Sequence, residues 1–369
     1  MPKVKIEETE NIRLSKTIKE ILNPDYVYIP FNSNANLHIK SNEYVKKGSI
    51  LFDDNKIPTY SPISGKVIGS CKVLSDNKLK DAIAIENDFE EKNLKRKTYK
   101  NKSYTKEELI NKLSELNLNY NLKGNTLIIN GIDYEPYEYS LSHITKNYTE
   151  SILDTIDELI SILNIKKCYL AIKNDDTDNV QTLINQIGTY PSINLRLIDN
   201  YYPNANKQII IKNFKLDEKN TIYLNVEDIY NIYNAIKKDE PIYDKFITIT
   251  GNLLNKGRVL KVKLGTRILD IIDNNSVLNS NYHIIINGLL SGYEIKNKNA
   301  IITSNIRSIF ICKDNKIEQN SCINCGLCHI NCPVNADPRT GYNLNKCIKC
   351  GLCNYLCPSK IQLIGDKNE

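Results

Sequence analysis

Two stretches decide how this chain is read: Cys322-Ile-Asn-Cys325-Gly-Leu-Cys328-His-Ile-Asn-Cys332-Pro333 and Cys347-Ile-Lys-Cys350-Gly-Leu-Cys353-Asn-Tyr-Leu-Cys357-Pro358. Each has the spacing C-x2-C-x2-C-x3-C-P. Three thiolates two residues apart wrap one corner of an iron–sulfur cubane, while the fourth, ahead of proline, turns away to the other cluster. The spacing therefore predicts two [4Fe–4S] clusters. Cys322, Cys325, Cys328 and Cys357 are assigned to the first, and Cys347, Cys350, Cys353 and Cys332 to the second. Gly326 and Gly351 leave room for backbone N–H groups to approach the sulfides and tune the potential. Structural zinc also uses C-x2-C pairs, but two identical four-cysteine runs exceed what tetrahedral ions require. Paired clusters of this kind pass electrons singly.

Eleven cysteines are present, and eight belong to these runs. Short regular spacing in a chain without a secretory leader suggests metal rather than disulfides. Cys71, Cys168 and Cys312 stand apart, and Cys168, within the apolar run Cys168-Tyr-Leu-Ala-Ile172, reads as a small buried residue. His329 follows Cys328, but with eight thiolates placed it reads as a bystander. The N-terminal MPKVKIEETE has no apolar core, so the expected location is cytoplasmic. No apolar run is long enough for a membrane-spanning helix. Lys and Arg number 49 against 43 Asp and Glu, a net charge of +6; without a dense basic stripe, nucleic acid is not an expected partner.

Outward from the cysteines, the fold class reads as multidomain α/β plus β. Residues 1–88 form a β-module: Tyr26–Ile29, Gly48–Phe52, Gly65–Ile68 and Ala82–Ile85 read as short strands separated by Gly and Pro. A charged linker covers about 88–108, and Thr105 with Glu108 forms a capping box opening a helix. Residues 105–240 alternate strands (Thr126–Asn130, 168–172, 194–198, 221–226) with helices (150–163, about 177–187, about 227–237), the pattern of a parallel α/β layer. A smaller β-rich unit with a short closing helix spans 241–300. The dicluster domain, bacterial-ferredoxin-like, occupies 312–369.

This order resembles the RnfC family, peripheral subunits of ion-translocating ferredoxin:NAD⁺ oxidoreductases, over nearly the whole chain. Thr59-Tyr-Ser-Pro-Ile-Ser-Gly-Lys-Val67 is similar to the family's N-terminal barrel-sandwich turn. Leu127-Ile-Ile-Asn-Gly-Ile-Asp-Tyr-Glu-Pro-Tyr137 is similar to its L-I-x-N-G-x-E-C-E-P-Y segment, which makes Glu135 the candidate cofactor-binding residue. Tyr202-Pro203 with Lys207-Gln208 matches part of its Y-P-Q-G-G-E-K-Q stretch. Thr248–Gly251 through Leu264-Gly265-Thr266 resembles its SLBB-type β-grasp unit.

The resemblance implies FMN and NADH as further cofactors, but three elements of that site depart from the family. Its glycine-rich G-x-G-G-x-G-F-P-T loop, whose backbone N–H groups cradle phosphate, is missing: Asn117–Gly124 leads directly into the strand. Asp133 and Tyr134 replace the family's Glu and Cys, and Lys173 replaces a Glu. FMN and NADH are accordingly not expected to bind. Asp175-Asp176 reads as a helix N-cap, and Glu135 as a surface or packing carboxylate. The expected function is an iron–sulfur subunit that relays electrons between other subunits of a complex and a ferredoxin or flavoprotein partner. It would be peripheral to the membrane through those subunits, and not a stand-alone enzyme. The alternatives are a complete NADH/FMN module and a docking subunit with structural clusters.

Overall fold

In Thr126–Asn130, every residue of Thr-Leu-Ile-Ile-Asn is buried, which is what a strand covered on both faces requires. A computed structural model describes residues 4–6, 19–20, 24–96, 103–254, 256–273, 282–297, 299–313 and 319–361. Most of the N-terminal MPKVKIEETE and Lys97 lie outside them. The strand is interior to a four-stranded sheet with Lys167–Lys173 on one side and Thr221–Asn225 on the other; Ile193–Ile198 lies outermost. All three pairings are parallel, with Leu127 opposite both Cys168 and Ile222.

The helices cover this sheet as their patterns predict. Lys106–Glu115 opens on the reciprocal Thr105/Glu108 capping box. Thr149–Leu163 buries Ile152, Leu153, Ile156, Leu159 and Leu163 along one stripe and ends on Asn164 in the left-handed region. Two short helices add to the expected set, Ser140–Asn147 and Lys207–Asn213. The first buries Ser140 and Thr145 along with its two apolar residues, Leu141 and Ile144, so its apolar stripe is short. Of the Asp pair, Asp176 caps Thr177–Ile187 by accepting from the Asn179 N–H, whereas Asp175 binds the Asn200 amide.

Two antiparallel sheets make the N-terminal module. One runs Tyr26–Phe31, Lys78–Asn87, Gly65–Ser75, Tyr44–Val45, and the other Asn36–Leu37, Ile50–Asp54, Ile57–Tyr60. They share a core that includes Val27, Leu51, Phe52, Val67 and Ile85. A mixed six-stranded sheet follows, ordered Lys19–Glu20, Arg258–Lys263, Asp244–Thr250, Ser308–Lys313, Tyr282–Ile286, Tyr293–Ile295. The helix Ile268–Asp273 closes it. This unit runs past residue 300, its expected boundary. In Ser308–Lys313 the run Ile309-Phe-Ile311 is apolar, and Ile309 and Ile311 are fully buried in the sheet's core.

A buried ion pair joins the α/β layer to this sheet. Glu227, in the helix Val226–Lys238, binds the Lys245 ammonium with one oxygen. Its other oxygen accepts the Phe246 N–H at 3.2 Å. Lys245→Met leaves the carboxylate buried without its cation, an imbalance that costs about 3–5 kcal/mol. Urea unfolding should show that loss for Lys245→Met, whereas Lys72→Met, which breaks an exposed pair with Asp81, should change stability by under about 1 kcal/mol.

Candidate metal centre

The two cysteine runs adopt one conformation twice. Asn324 and Lys349 occupy the left-handed region at φ 52° and 51°, and Gly326 and Gly351 follow at 79° and 73°. Each glycine opens a short helix, Leu327–Ile330 or Leu352–Leu356. In each half a backbone N–H two residues on points at the leading sulfur: Asn324 to Cys322 Sγ and Lys349 to Cys347 Sγ, both 3.4 Å. A third, from Ala336, lies 3.2 Å from Cys332 Sγ. Such donors suit thiolates, which need hydrogen bonds to hold their charge.

The halves exchange their fourth cysteines. The Asn320 N–H donates to the Ser359 carbonyl and the Ser359 hydroxyl to the Ser321 carbonyl, both 2.9 Å. These bonds draw the end of the second run onto the start of the first. Cys322, Cys325, Cys328 and Cys357 consequently line one concavity with Arg339. Arg339 clamps Asp337 through its Nε and Nη2 at 3.0 and 2.7 Å and holds that carboxyl down to about 2. Cys347, Cys350, Cys353 and Cys332 form the other group. Burial pushes the Cys350 thiol up to about 12 and the Cys353 thiol to about 11, and the neighbouring thiols Cys347 and Cys332 add to both shifts. Among the described residues no three Cys, His, Asp or Glu side chains close on a single ion. His329 takes no place in either group; its Nδ1 lies 3.2 Å from the Ala336 carbonyl oxygen.

The groups differ in setting. Cys322 and Cys325 are exposed, whereas Cys347, Cys350 and Cys353 are half-buried. The second run sits on the body of the protein at two points. An added Cβ on Gly351 would fall 1.8 Å from the Leu290 carbonyl oxygen, so this close approach requires glycine. Beside it, the Tyr202 hydroxyl lies 2.6 Å from the Cys350 carbonyl oxygen and 2.7 Å from Glu135 Oε1. Glu135 Oε2 accepts the Leu290 N–H at 3.1 Å. Of the two expected settings, surface or packing, Glu135 has the second: it is 5% exposed, and burial raises its pKa to about 7. The carboxylate sits at a junction of three segments that the sequence could not show to meet. Tyr202 belongs to one of the family-like motifs, but no spacing signals its contact with Cys350.

Glu135 and Tyr202 also line an open pocket with Asp133, Lys173, Asp199 and Tyr201. Asp133 is committed to the helix Ser140–Asn147, accepting the Leu141 and Ser142 N–H groups at 2.8 and 3.3 Å. Burial raises its pKa to about 7. The segment replacing the family's glycine-rich loop is filled with core side chains. Leu118 and Leu122 are buried and Tyr120 packs against the same cluster. Gly124 presses on the Asn220 carbonyl, where an added Cβ would fall 2.6 Å from its oxygen. The Asn117 and Leu118 N–H groups turn back onto the Ser114 and Leu113 carbonyls.

The paired glycines make a contrasting test. A Cβ on Gly326 meets nothing closer than 3.7 Å, so Gly326→Ala should cost only the left-handed strain, about 1–2 kcal/mol. Gly351→Ala should lose more and release the cysteine segment. Urea unfolding with limited proteolysis checks both, and equal losses would contradict the docking geometry.

Known proteins bear on this geometry. The family model described as the Nuo51 FMN-binding domain matches residues 111–234, and that of a 4Fe-4S binding domain matches 316–336. The RnfC-type subunit of the ion-translocating oxidoreductase complex of Buchnera aphidicola (subspecies Acyrthosiphon pisum) is 27% identical over 84% of this chain and 72% of its own length. The Haemophilus influenzae protein of the same name is 26% identical over 85% of this chain and 54% of its own length. The chain thus spans about half to three quarters of these relatives. An NAD⁺-reducing [NiFe]-hydrogenase in the air-oxidised state aligns over 55% of this chain and 42% of its own at 13% identity and a TM-score of 0.43. Among the described residues no helix is long and apolar enough to cross a membrane. The chain is RnfC-like: over most of its length it resembles the RnfC-type subunits of ion-translocating oxidoreductase complexes.

Proposed function

We propose that this protein is an iron–sulfur electron-transfer subunit that relays electrons through two [4Fe–4S] clusters between redox partners in an oxidoreductase complex. The observation that carries the reading is the exchange of the fourth cysteine, which sets Cys357 in one concavity with Cys322, Cys325 and Cys328. When bound, each cubane takes up and returns one electron; the protein holds it, supplies N–H donors to the sulfurs and limits water. The exposed Cys322 and Cys325 lie among apolar side chains that are themselves exposed, Ile323 at 66% and Ile330 at 70%. That edge suits transfer to a partner protein, while the second set faces the α/β unit. The partners expected are other subunits of the complex, with a ferredoxin or flavoprotein at one end. In this reading the N-terminal module is a barrel-sandwich fold and the mixed sheet an SLBB-like unit, both free to dock on those subunits.

A second reading, a complete FMN- and NADH-dependent module, draws support from the FMN-binding-domain match over residues 111–234. Against it stands the packed segment 117–124. Several charge-assisted N–H bonds to phosphate, each worth roughly 1.5–3 kcal/mol, are not available there. At about 1.4 kcal/mol per tenfold, losing three or four weakens affinity by orders of magnitude.

Three measurements decide. Anaerobically purified or reconstituted protein should carry about eight iron and eight sulfide per chain, and a zinc-only preparation would overturn the relay. Cys357→Ser should perturb the EPR signal of the cluster on Cys322, Cys325 and Cys328, and loss of the other signal would reverse the ligand assignment. Calorimetric titration with FMN or NADH should show no saturable binding at sub-millimolar ligand. A micromolar dissociation constant would install the second reading.

A further inference from the structure

The hydroxyl of Tyr202 has one proton to give and three neighbours, the Cys350 carbonyl, the Glu135 carboxyl and the Ser291 side chain. It lies 2.6 Å from the Cys350 carbonyl oxygen and 2.7 Å from Glu135 Oε1. A carbonyl cannot donate. If Glu135 is ionised, the Tyr202 proton goes to the carboxylate, and two bare oxygens face each other at Cys350. If Glu135 is protonated, its O–H donates to Tyr202 and Tyr202 donates to Cys350. The chain then runs unbroken from the Leu290 N–H, 3.1 Å from Glu135 Oε2, to the backbone of a proposed cluster ligand. The short Tyr202–Cys350 distance fits the carboxylic acid, whereas the Ser291 hydrogen bond to Glu135 favours the carboxylate.

We infer that Glu135 and Tyr202 form a proton relay to the second thiol set: Glu135 takes up a proton from solvent when an electron arrives among Cys347, Cys350, Cys353 and Cys332. The inference rests on the two-cluster reading above and adds to it a coupling between proton and electron.

Three further observations support it. Glu135 and Tyr202 both line the open pocket that also holds Asp133, Lys173 and Asp199, so water has a route to the carboxyl. Burial, reinforced by Glu138, raises Glu135 to about 7, so its proton is exchangeable near neutrality. No cation is reserved for it. Arg307, ahead of the strand Ser308–Lys313, lies near both carboxylates but pairs with Glu138 at 3.5 Å. From the other elements packed against Glu135 come the Leu290 N–H, Ser291 and the Tyr202 hydroxyl, with the Arg307 charge acting on it from further off. Across the pocket, the Lys173 charge acts on Asp133.

The balance is simple. One electron comes from a reduced partner protein, or from dithionite in the test, and one proton from water forms the Glu135 O–H bond. The charge of the site is unchanged, and oxidation reverses both. A carboxylate beside the thiol set disfavours the added electron, so the potential of that set falls as pH rises through the titration of Glu135. One proton per electron corresponds to about 59 mV for each tenfold change in proton concentration.

The test is an EPR-monitored dithionite titration of the anaerobic, reconstituted full chain from pH 6 to 8.5. Signals are assigned through Cys357→Ser, which marks the first set. The potential of the second set should fall with pH, by up to that limit, while the first stays flat. Glu135→Gln, isosteric with the acid and still a donor to Tyr202, should abolish the slope and hold the potential near the wild-type value at pH 6. Tyr202→Phe should lower the potential of the second set and weaken its pH dependence. Redox-difference infrared spectra should show a protonated-carboxyl band gained on reduction and absent from Glu135→Gln. A flat second set in the wild type, a slope shared equally by both sets, or a slope that survives Glu135→Gln would overturn the relay. Iron and sulfide content with the number of EPR signals judges the two-cluster reading separately. A preparation with a single cluster overturns that reading and the inference with it.

Discussion

The contact between Cys350 and Tyr202, with Gly351 seated against Leu290 alongside, fixes where the cysteine segment stands relative to the rest of the molecule. The segment has few core residues of its own: Cys328, Ala336, Leu352 and Cys357 are its buried apolar side chains. It therefore depends on its ligands within and on this junction without. The junction admits little variation, since Gly351 has no room for a Cβ and Tyr202 engages the Cys350 carbonyl directly. Because Glu135 holds both Tyr202 and the Leu290 N–H, one buried carboxyl joins the α/β layer, the mixed sheet and the second cysteine run.

That junction gives the two thiol sets different work. The set with Cys322 and Cys325 opens to solvent beside Ile323 and Ile330, a surface suited to a transient partner. The set with Cys350 rests against the pocket of Asp133, Glu135 and Tyr202. The segment Asn117–Gly124 is packed with Leu118, Tyr120 and Leu122. Asp133, one of the departures, has become a helix-capping group. The remnants of the pocket are thus structurally occupied, apart from Glu135, which retains an open route to water and a bonded route to Cys350.

Much of this was legible beforehand. The spacing of the eight cysteines pointed to an exchange of fourth ligands, a local constraint set by the size of a cubane, and Cys357 lies with Cys322, Cys325 and Cys328 in one concavity. The parallel layer followed from Leu127–Ile129 and the stripe on Thr149–Leu163, and the Thr105/Glu108 capping box was read directly from residue types. The unreadable parts depended on long-range contact. Ser308–Lys313 joins a sheet in which its partner strands, Asp244–Thr250 and Tyr282–Ile286, lie far ahead of it in sequence. Whether Glu135 was a surface or a packing carboxylate stayed open because Gly288, Leu290 and Tyr202, which bury it, lie far from it along the chain. The helix Ser140–Asn147 is only two turns long and buries Ser140 and Thr145 beside Leu141 and Ile144, so its apolar stripe is short.

The central claim, that two clusters sit close together in one exchanged-ligand domain on this chain, is tested most directly by EPR of the fully reduced protein. Two one-electron paramagnets held in a single small domain interact magnetically. The account predicts close to two spins per chain, with a broadened, split spectrum that relaxes faster than either cluster alone and simplifies in Cys357→Ser. A single uncoupled signal near one spin per chain, unchanged in Cys357→Ser, would contradict it.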